Sequence, residues 1–213
     1  MDDTWGPASQ GAVPAPQPVG RGRPPSTTRH QLQEIAMEMF SAHGYDEVTL
    51  DELAAAAGIG RRTFFRYFPS KADALMADFE QDVERLRELL ADSDPGLPLI
   101  QAIRRAVVAG NSYHAADLAR LRLRLQLQSD HPALQANANA HYERWQQVIA
   151  EFAACRLGQS ADALQPQVIA RAIFGAAFAG FMSWLCDDAG ELGSKLDAAL
   201  GVLADSFGNQ PSS

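Results

Sequence analysis

The segment from Ile59 to Lys71, IGRRTFFRYFPSK, carries four cationic side chains and no acid. Phe64 and Phe68 are four residues apart, so on a helix both rings lie on one face. The opposite face then presents cations, a hydroxyl and a phenol, which are groups that contact phosphates and base edges in a DNA groove. An arginine-rich helix face that is simply solvated is the alternative. The outward-facing set is Arg61, Arg62, Thr63, Arg66 and Tyr67.

Two short helices and a tight turn are predicted to position this set. Thr49-Leu50-Asp51-Glu52 forms a capping box, in which the threonine accepts from a free backbone N–H and the glutamate reaches back. The helix that starts there is broken at Gly58-Ile59-Gly60, and a second helix runs from Arg61 to Phe68. This arrangement is typical of a helix-turn-helix, whose second helix enters the major groove of DNA.

Longer helices are predicted on both sides of this unit. Upstream, an apolar stripe at helical spacing begins at Leu32, continues through Phe40 and stops at Gly44. Downstream, Ser70 and Asp73 are expected to cap one longer helix that bears apolar residues as far as Leu90.

Residues Leu32 to Leu75 resemble the DNA-binding domain of the TetR family of bacterial regulators. The resemblance is carried by FSAHGYDEVTLDELAAAAGI and by GRRTFFRYFPSKADAL. It implies that Thr49 and Lys71 contact phosphates and that the outward-facing set contacts bases and flanking phosphates. Gly60 replaces a frequent serine N-cap, and Phe65 replaces a tyrosine that commonly contacts phosphate, so that hydroxyl is absent here.

Residues 1–25 hold six of the twelve prolines and few large apolar side chains, so we predict a disordered arm. Within it, Arg21-Gly22-Arg23-Pro24 resembles the core of an AT-hook. Arg21 and Arg23 are therefore expected to enter a narrow minor groove next to the helix-turn-helix. A flexible linker with two solvated arginines is the alternative.

The charge and composition limit the other classes of function. The net charge is −8, but from Asp78 onward there are 11 Lys and Arg against 17 Asp and Glu, so local basic patches lie near the front and a surplus of acid follows. The two cysteines and five histidines show no ligand spacing, and we expect neither a metal nor a cofactor. No signal peptide or membrane span is expected, which favours the bacterial cytoplasm. The chain shows no nucleophile elbow, phosphate loop or carboxylate pair, so an enzyme is disfavoured.

The remaining chain is predicted to be helical, giving an all-α fold of about nine helices. Leu121 to Leu127 alternates strictly, as a strand does, but a lone strand would lack ladder partners, so we predict a helix. The expected organisation is a three-helix helix-turn-helix domain at 26–77, a larger helical domain for effector binding and dimerisation at 78–208, and a disordered tail at 209–213.

The segment from Leu99 to Phe207 resembles regulators associated with mycofactocin biosynthesis, through LIQAIRRAVVAGN and HPALQANANAHYERWQQVIAEFAACRLG. The resemblance implies a homodimer formed by the last two helices and a small hydrophobic effector, with a long-chain acyl thioester as a candidate. We therefore expect a repressor that the effector releases from a palindromic operator. An architectural DNA-binding protein without ligand control is the alternative. Candidate ligand-binding residues, each of which could instead be core or surface, are Asn111, Tyr113, His114, Arg124, Trp145, Phe178 and Trp184.

Overall fold

The computed structural model describes residues 28–187 and 190–208, and within these ranges the chain contains helices and no strands. The all-α prediction is confirmed. The predicted arm, with Arg21 and Arg23, and the predicted tail lie outside the described residues. The helices are α1 (Arg29–His43), α2 (Leu50–Ala56), α3 (Arg61–Tyr67), α4 (Lys71–Leu75), α5 (Phe79–Ala91), α6 (Leu99–Gly110), α7 (Ala115–Asp130), α8 (Pro132–Leu157), α9 (Leu164–Leu185) and α10 (Leu192–Gly208).

The described ranges contain ten helices rather than about nine, because the single helix predicted after Ser70 is wrong. It is interrupted between Leu75 and Phe79. There the backbone N–H groups of Met76 and Phe79 donate to carbonyls three residues back, at 3.3 and 3.1 Å, instead of four. This tighter turn changes the chain direction. As a result, Met76 is buried in the core formed by α5 to α10, whereas Leu75 of α4 is buried in the core formed by α1 to α4.

The first core joins α1 to α4. Phe64 and Phe68 are buried in it, as their spacing predicted, and their ring centroids lie 5.5 Å apart. Capping boxes begin α2 and α4 at Thr49 and Ser70, which confirms both predicted starts. Two leucines from later helices, Leu127 and Leu134, complete this core. The helix-turn-helix is therefore packed directly against α7 and α8.

The second core is built from α5 to α10, and α7 lies between the two cores. Leu121 and Leu125 are buried in the second core, whereas Leu123 and Leu127 pack against the first. A step of two residues turns a helix by about 200°, so alternate leucines reach opposite faces. The prediction of a helix at this position is confirmed, and the alternation arises because α7 contacts both cores.

Helices α9 and α10 pack closely against each other. At Gly180 a Cβ atom would lie 3.1 Å from the Lys195 carbonyl oxygen, so only glycine permits this approach. By length and composition alone, α9 is apolar enough to span a membrane, with a mean hydropathy of 1.6. The core helix of a soluble protein can have the same length and composition, although only 33% of this apolar stretch of α9 is buried inside the chain. The exposed apolar side chains include Leu164 and Val168.

Candidate nucleic-acid interface and ligand cavity

Helix α3 presents its cations to solvent. Arg61, Arg62 and Arg66 are exposed, while Thr63 and Tyr67 are half-buried beside them. Arg61 donates to the Asp51 carboxylate at 3.0 Å and lies 5.4 Å from the Phe65 ring centroid. This ion pair is exposed, so it contributes little stability and a phosphate can replace it.

Arg62 and Arg66 are the cations of α3 that are open to a ligand. Neither forms an ion pair with another residue in the described part of the chain, and the Arg66 guanidinium lies 5.6 Å from the Tyr67 ring centroid. The two side chains are four residues apart on one helical face. This face carries two guanidinium groups without an internal ion pair. Their N–H groups can donate to a phosphate or to the O6 and N7 atoms of a guanine.

The turn before α3 has the geometry that a helix-turn-helix requires. Gly58 has φ of +64°, a left-handed conformation that favours glycine. Gly60 is the N-cap of α3 and supplies no side-chain bond. At the start of α2, the Thr49 hydroxyl donates to Glu52 Oε2 at 2.8 Å. A phosphate contact by Thr49 therefore requires this hydroxyl to turn away from Glu52.

Lys71 has a different environment from the one that the resemblance implied. Its ammonium group donates to the carbonyl oxygens of Tyr45, Asp46 and Val48, at 2.5, 3.4 and 2.9 Å. It also lies 4.2 Å from the Tyr45 ring centroid. Burial, together with the charges of Asp46 and Asp73, raises the pKa of Tyr45 to about 12. Since an ammonium has three N–H donors, all are occupied, and Lys71 fixes the segment between α1 and α2.

A cavity with about 670 Å³ of empty volume, partly open to solvent, lies inside the second core. Its walls are mainly aromatic. The Phe174 ring centroid lies 5.1 Å from that of Tyr142 and 6.0 Å from those of Trp145 and Phe178. A mainly aromatic lining with a few polar groups is typical of a small-molecule site. The lining residues are Phe79, Asp82, Leu86, Gly110, Asn111, Tyr113, Leu121, Arg124, Leu125, Tyr142, Trp145, Phe174, Ala177, Phe178 and Phe181.

One end of this cavity is polar. Burial raises the pKa of the Asp82 carboxyl, and the positive charge of Arg124 opposes that rise without cancelling it. Burial and the charge of Asp82 likewise raise the pKa of Tyr113. Asp82, Tyr113, Leu121 and Arg124 also line a second, more polar cavity that reaches α1. The polar end is therefore a wall shared by the aromatic cavity and a cleft beside the first core.

Comparison with known proteins decides the family. Residues 34–77 match the family described as bacterial regulatory proteins, tetR family, and residues 97–208 match the MftR C-terminal domain. The chain belongs to the TetR family. Members of this family bind DNA, dimerise and bind small-molecule ligands. The chain is a DNA-binding transcriptional regulator of this family.

Individual relatives agree with this assignment. The MftR protein of Mycobacterium tuberculosis, provisionally assigned as a mycofactocin biosynthesis transcriptional regulator, is 37% identical over 90% of this chain and 96% of its own. The same fold occurs in Thermus thermophilus FadR, a TetR family repressor solved with lauroyl-CoA, at 23% identity and a TM-score of 0.56, covering 87% of this chain and 97% of FadR. Stenotrophomonas maltophilia SmeT, solved with triclosan, has 17% identity and a TM-score of 0.61, covering 84% and 90%.

Within this TetR-family chain, the structure brings together five of the seven candidate ligand-binding residues. Two do not line the cavity: His114 is the exposed N-cap of α7, and Trp184 is buried beneath Arg122, whose guanidinium lies 4.4 Å from its ring centroid. The sequence analysis did not predict several aromatic residues of the cavity wall. Phe174 could have been predicted, because it lies four residues before Phe178 and therefore on the same face of α9. The five that line the cavity are Asn111, Tyr113, Arg124, Trp145 and Phe178.

Replacing Asp82 with asparagine is expected to stabilise the protein at neutral pH. The raised pKa means that the folded state holds this proton more tightly than the unfolded state does. The ionised carboxylate therefore costs stability once the pH rises above its ordinary value, and the cost is complete above the raised pKa. We expect Asp82→Asn to raise the melting temperature at pH 7 by roughly 2–4 °C, or about 1 kcal/mol for this size.

Melting measured at pH 7 and near pH 4 tests this expectation. Glu84→Gln is the matched control, because Glu84 is exposed on the same helix. The advantage of Asp82→Asn over the control should shrink as the pH falls. An advantage that grew on acidification would contradict the expected sign.

Proposed function

We propose that this TetR-family chain is a homodimeric repressor of the bacterial cytoplasm that leaves a palindromic operator when a hydrophobic effector fills the aromatic cavity. Acyl thioesters are the candidate class, supported by the mycofactocin-type C-terminal domain and by the lauroyl-CoA complex of a protein with the same fold. The expected DNA contacts come from α3, with half-sites about one helical turn or a multiple apart.

The observation that carries this proposal is a buried chain of hydrogen bonds between the cavity and the helix-turn-helix. Tyr142, on the cavity wall, donates its phenolic proton to Gln128 Oε1 at 2.8 Å. Gln128 Nε2 in turn donates to the Met76 sulfur at 3.2 Å. Met76 is the C-cap residue of α4, the helix that carries Lys71 at its other end. The chain therefore links the cavity to the residue that fixes the segment before α2.

All three members of this chain are shielded from water. Tyr142, Gln128 and Met76 are 8%, 4% and 1% exposed. A buried amide that loses a partner cannot recover it from solvent, so a displaced Tyr142 leaves an unpaired polar group unless Gln128 and Met76 move too. A ligand that displaces the Tyr142 ring thus favours a different position of α4. It shifts DNA binding only by its differential affinity for the two arrangements.

The dimer is supported by the apolar surface of α9. Two thirds of its apolar window is not buried within the chain, and the exposed side chains of Leu164 and Val168 lie near its start. A second copy related by a two-fold axis would cover this surface with the same residues. We propose α9 and α10 as the dimer interface, so that the two α3 helices stand at a fixed separation.

The direct test is the binding of the purified protein to the DNA upstream of its own gene, measured by fluorescence anisotropy at fixed, near-physiological salt. A scrambled duplex is the comparison. Specific recognition predicts about a thousandfold preference for the native duplex. Dodecanoyl-CoA added afterwards should release the protein. Equal affinity for both duplexes, with a steep salt dependence and no ligand response, would favour an architectural protein instead.

Replacing Gln128 with leucine should uncouple effector binding from the release of the operator. Leucine removes both hydrogen bonds and leaves the Tyr142 hydroxyl without its acceptor, at a cost of about 1–3 kcal/mol. The protein should still fold, bind the operator and bind the effector. The effector-induced loss of operator affinity should shrink by about tenfold, within the usual range of coupling between sites. Gln126→Leu is the matched control, since Gln126 is exposed on the same helix. Unchanged release in Gln128→Leu would exclude this chain as the coupling route.

A further inference from the structure

Helix α7 carries three arginines, and two of them are held by groups within the chain. Arg120 donates to Glu34 at 3.1 Å and pairs with Asp117. Arg122 donates to the Leu185 carbonyl oxygen at 3.0 Å and packs on Trp184. Both side chains are thus used in joining helices.

The third arginine, Arg124, faces the aromatic cavity. Its Nε is buried and has no hydrogen-bond partner, and no carboxylate in the described ranges lies within 4 Å of its guanidinium nitrogens. The guanidinium carbon lies 5.8 Å from the centroid of the Phe79 ring, which forms part of the cavity wall. A guanidinium cannot lose its charge in a protein, so Arg124 remains a cation beside apolar walls.

The guanidinium as a whole is partly exposed, but its buried Nε–H donor is unfavourable while it lacks an acceptor. Asp82 is the acidic residue of the shared cavity wall, and it lies beyond ion-pairing distance. Its carboxyl is itself disfavoured as an anion by burial, so it compensates Arg124 only at a distance. The aromatic cavity that Arg124 lines can hold an acceptor beside it, and a carboxylate is the group whose geometry and charge suit a guanidinium best.

We infer that Arg124 selects a hydrophobic ligand that bears a carboxylate, with that group at the polar end and the apolar body between Trp145, Phe174 and Phe178. The inference rests on the proposed function only in placing the ligand in the aromatic cavity. It narrows the ligand class from hydrophobic compounds in general to hydrophobic acids. It thereby departs from the acyl thioester considered above, because a thioester presents only a neutral carbonyl at the same position, and the two ligand forms are compared directly below.

Isothermal titration calorimetry of the full chain without DNA tests the inference at pH 7.5, with dodecanoate and dodecanol as probes below their aggregation concentrations. The two probes share one apolar chain and differ in the charge of the end group. A charge-assisted hydrogen bond predicts that dodecanoate binds the wild type at least about tenfold more tightly. Arg124→Gln should remove most of that preference while dodecanol binding stays nearly unchanged.

Two further variants make the result specific. Arg124→Lys keeps the charge and should retain part of the preference, which shows that a folded cavity is still present. Arg122→Gln, which removes an arginine outside the cavity lining, should retain all of it. Equal affinity for acid and alcohol, or a preference that survives Arg124→Gln, would overturn the inference. So would tighter binding of dodecanoyl-CoA that does not depend on Arg124.

These outcomes are distinguishable from failure of the proposed function. Calorimetry without DNA reports only on the cavity, whereas operator release is measured separately by anisotropy. Dodecanoate that binds through Arg124 but does not release the operator would support the inference and contradict the effector mechanism. Release of the operator by a neutral ligand, with no preference for dodecanoate over dodecanol, would support the effector mechanism and contradict the inference.

Discussion

Replacing Arg62 and Arg66 together with alanine is expected to lower operator affinity by about a hundredfold or more. A base-contacting arginine contributes roughly 1–3 kcal/mol of discrimination, and the two lie on one face of α3. Neither is paired with a carboxylate in the described part of the chain, so no internal ion pair is lost, and the contact of Arg66 with the Tyr67 ring is an exposed one. Folding should be unaffected, because both side chains are exposed.

Fluorescence anisotropy on native and scrambled duplexes checks this result, with circular dichroism melting as the measure of folding. Arg85→Ala with Arg105→Ala is the matched control, because both residues are exposed outside the helix-turn-helix and the net charge changes equally. The control should bind almost as the wild type does. Equal losses in the two double variants would show that overall charge, and not α3, determines affinity.

Replacing Lys71 with methionine is expected to destabilise the protein by about 2–4 kcal/mol. Methionine keeps the apolar stem but removes three bonds to backbone carbonyls. A hydrogen bond to a charged group contributes roughly 1.5–3 kcal/mol net, and because the site is only partly buried, water replaces some of the lost bonds. The carbonyl oxygens of Tyr45 and Val48 would lose a partly buried donor. Because α2 would then be less fixed, binding to all duplexes should weaken together.

Thermal melting separates this role from a phosphate contact. A drop of roughly 2–4 °C per kcal/mol is expected for a chain of this size. Lys195→Met is the matched control, because it is the other lysine of the chain and forms an ion pair with Asp187 at 2.9 Å on a half-buried surface. Weaker DNA binding by Lys71→Met with no change in melting would instead identify Lys71 as a phosphate ligand, as the family resemblance implies.

These two predictions concern residues that the short helix α4 connects to the cavity. In the proposed mechanism Arg62 and Arg66 contact DNA, while Lys71 fixes the segment that precedes α2. The Tyr142–Gln128–Met76 chain ends at the other terminus of α4. Because α4 has only five residues, a movement at Met76 reaches Lys71 across little more than one helical turn. Under the proposed function, an effector would need to move only this short helix to disturb the DNA-binding surface.

The sequence by itself determined the helix-turn-helix and its exposed face. The capping boxes at Thr49 and Ser70 depend on atoms within three residues, and the separation of Phe64 from Arg62 and Arg66 depends on the helical period alone. Local hydrogen bonds and helical periodicity depend only on residues that are close together in the sequence, so they could be predicted from it. The family resemblance added the second domain and its general function.

Only the tertiary structure decided where α4 ends, what Lys71 binds and which residues meet at the cavity. Lys71 reaches carbonyls 23 to 26 residues away, and the cavity joins residues from α5, α7, α8 and α9. The leucine alternation of α7 has the same origin, because its two faces serve two cores. Contacts between distant segments depend on how whole helices pack, and no local pattern specifies that packing.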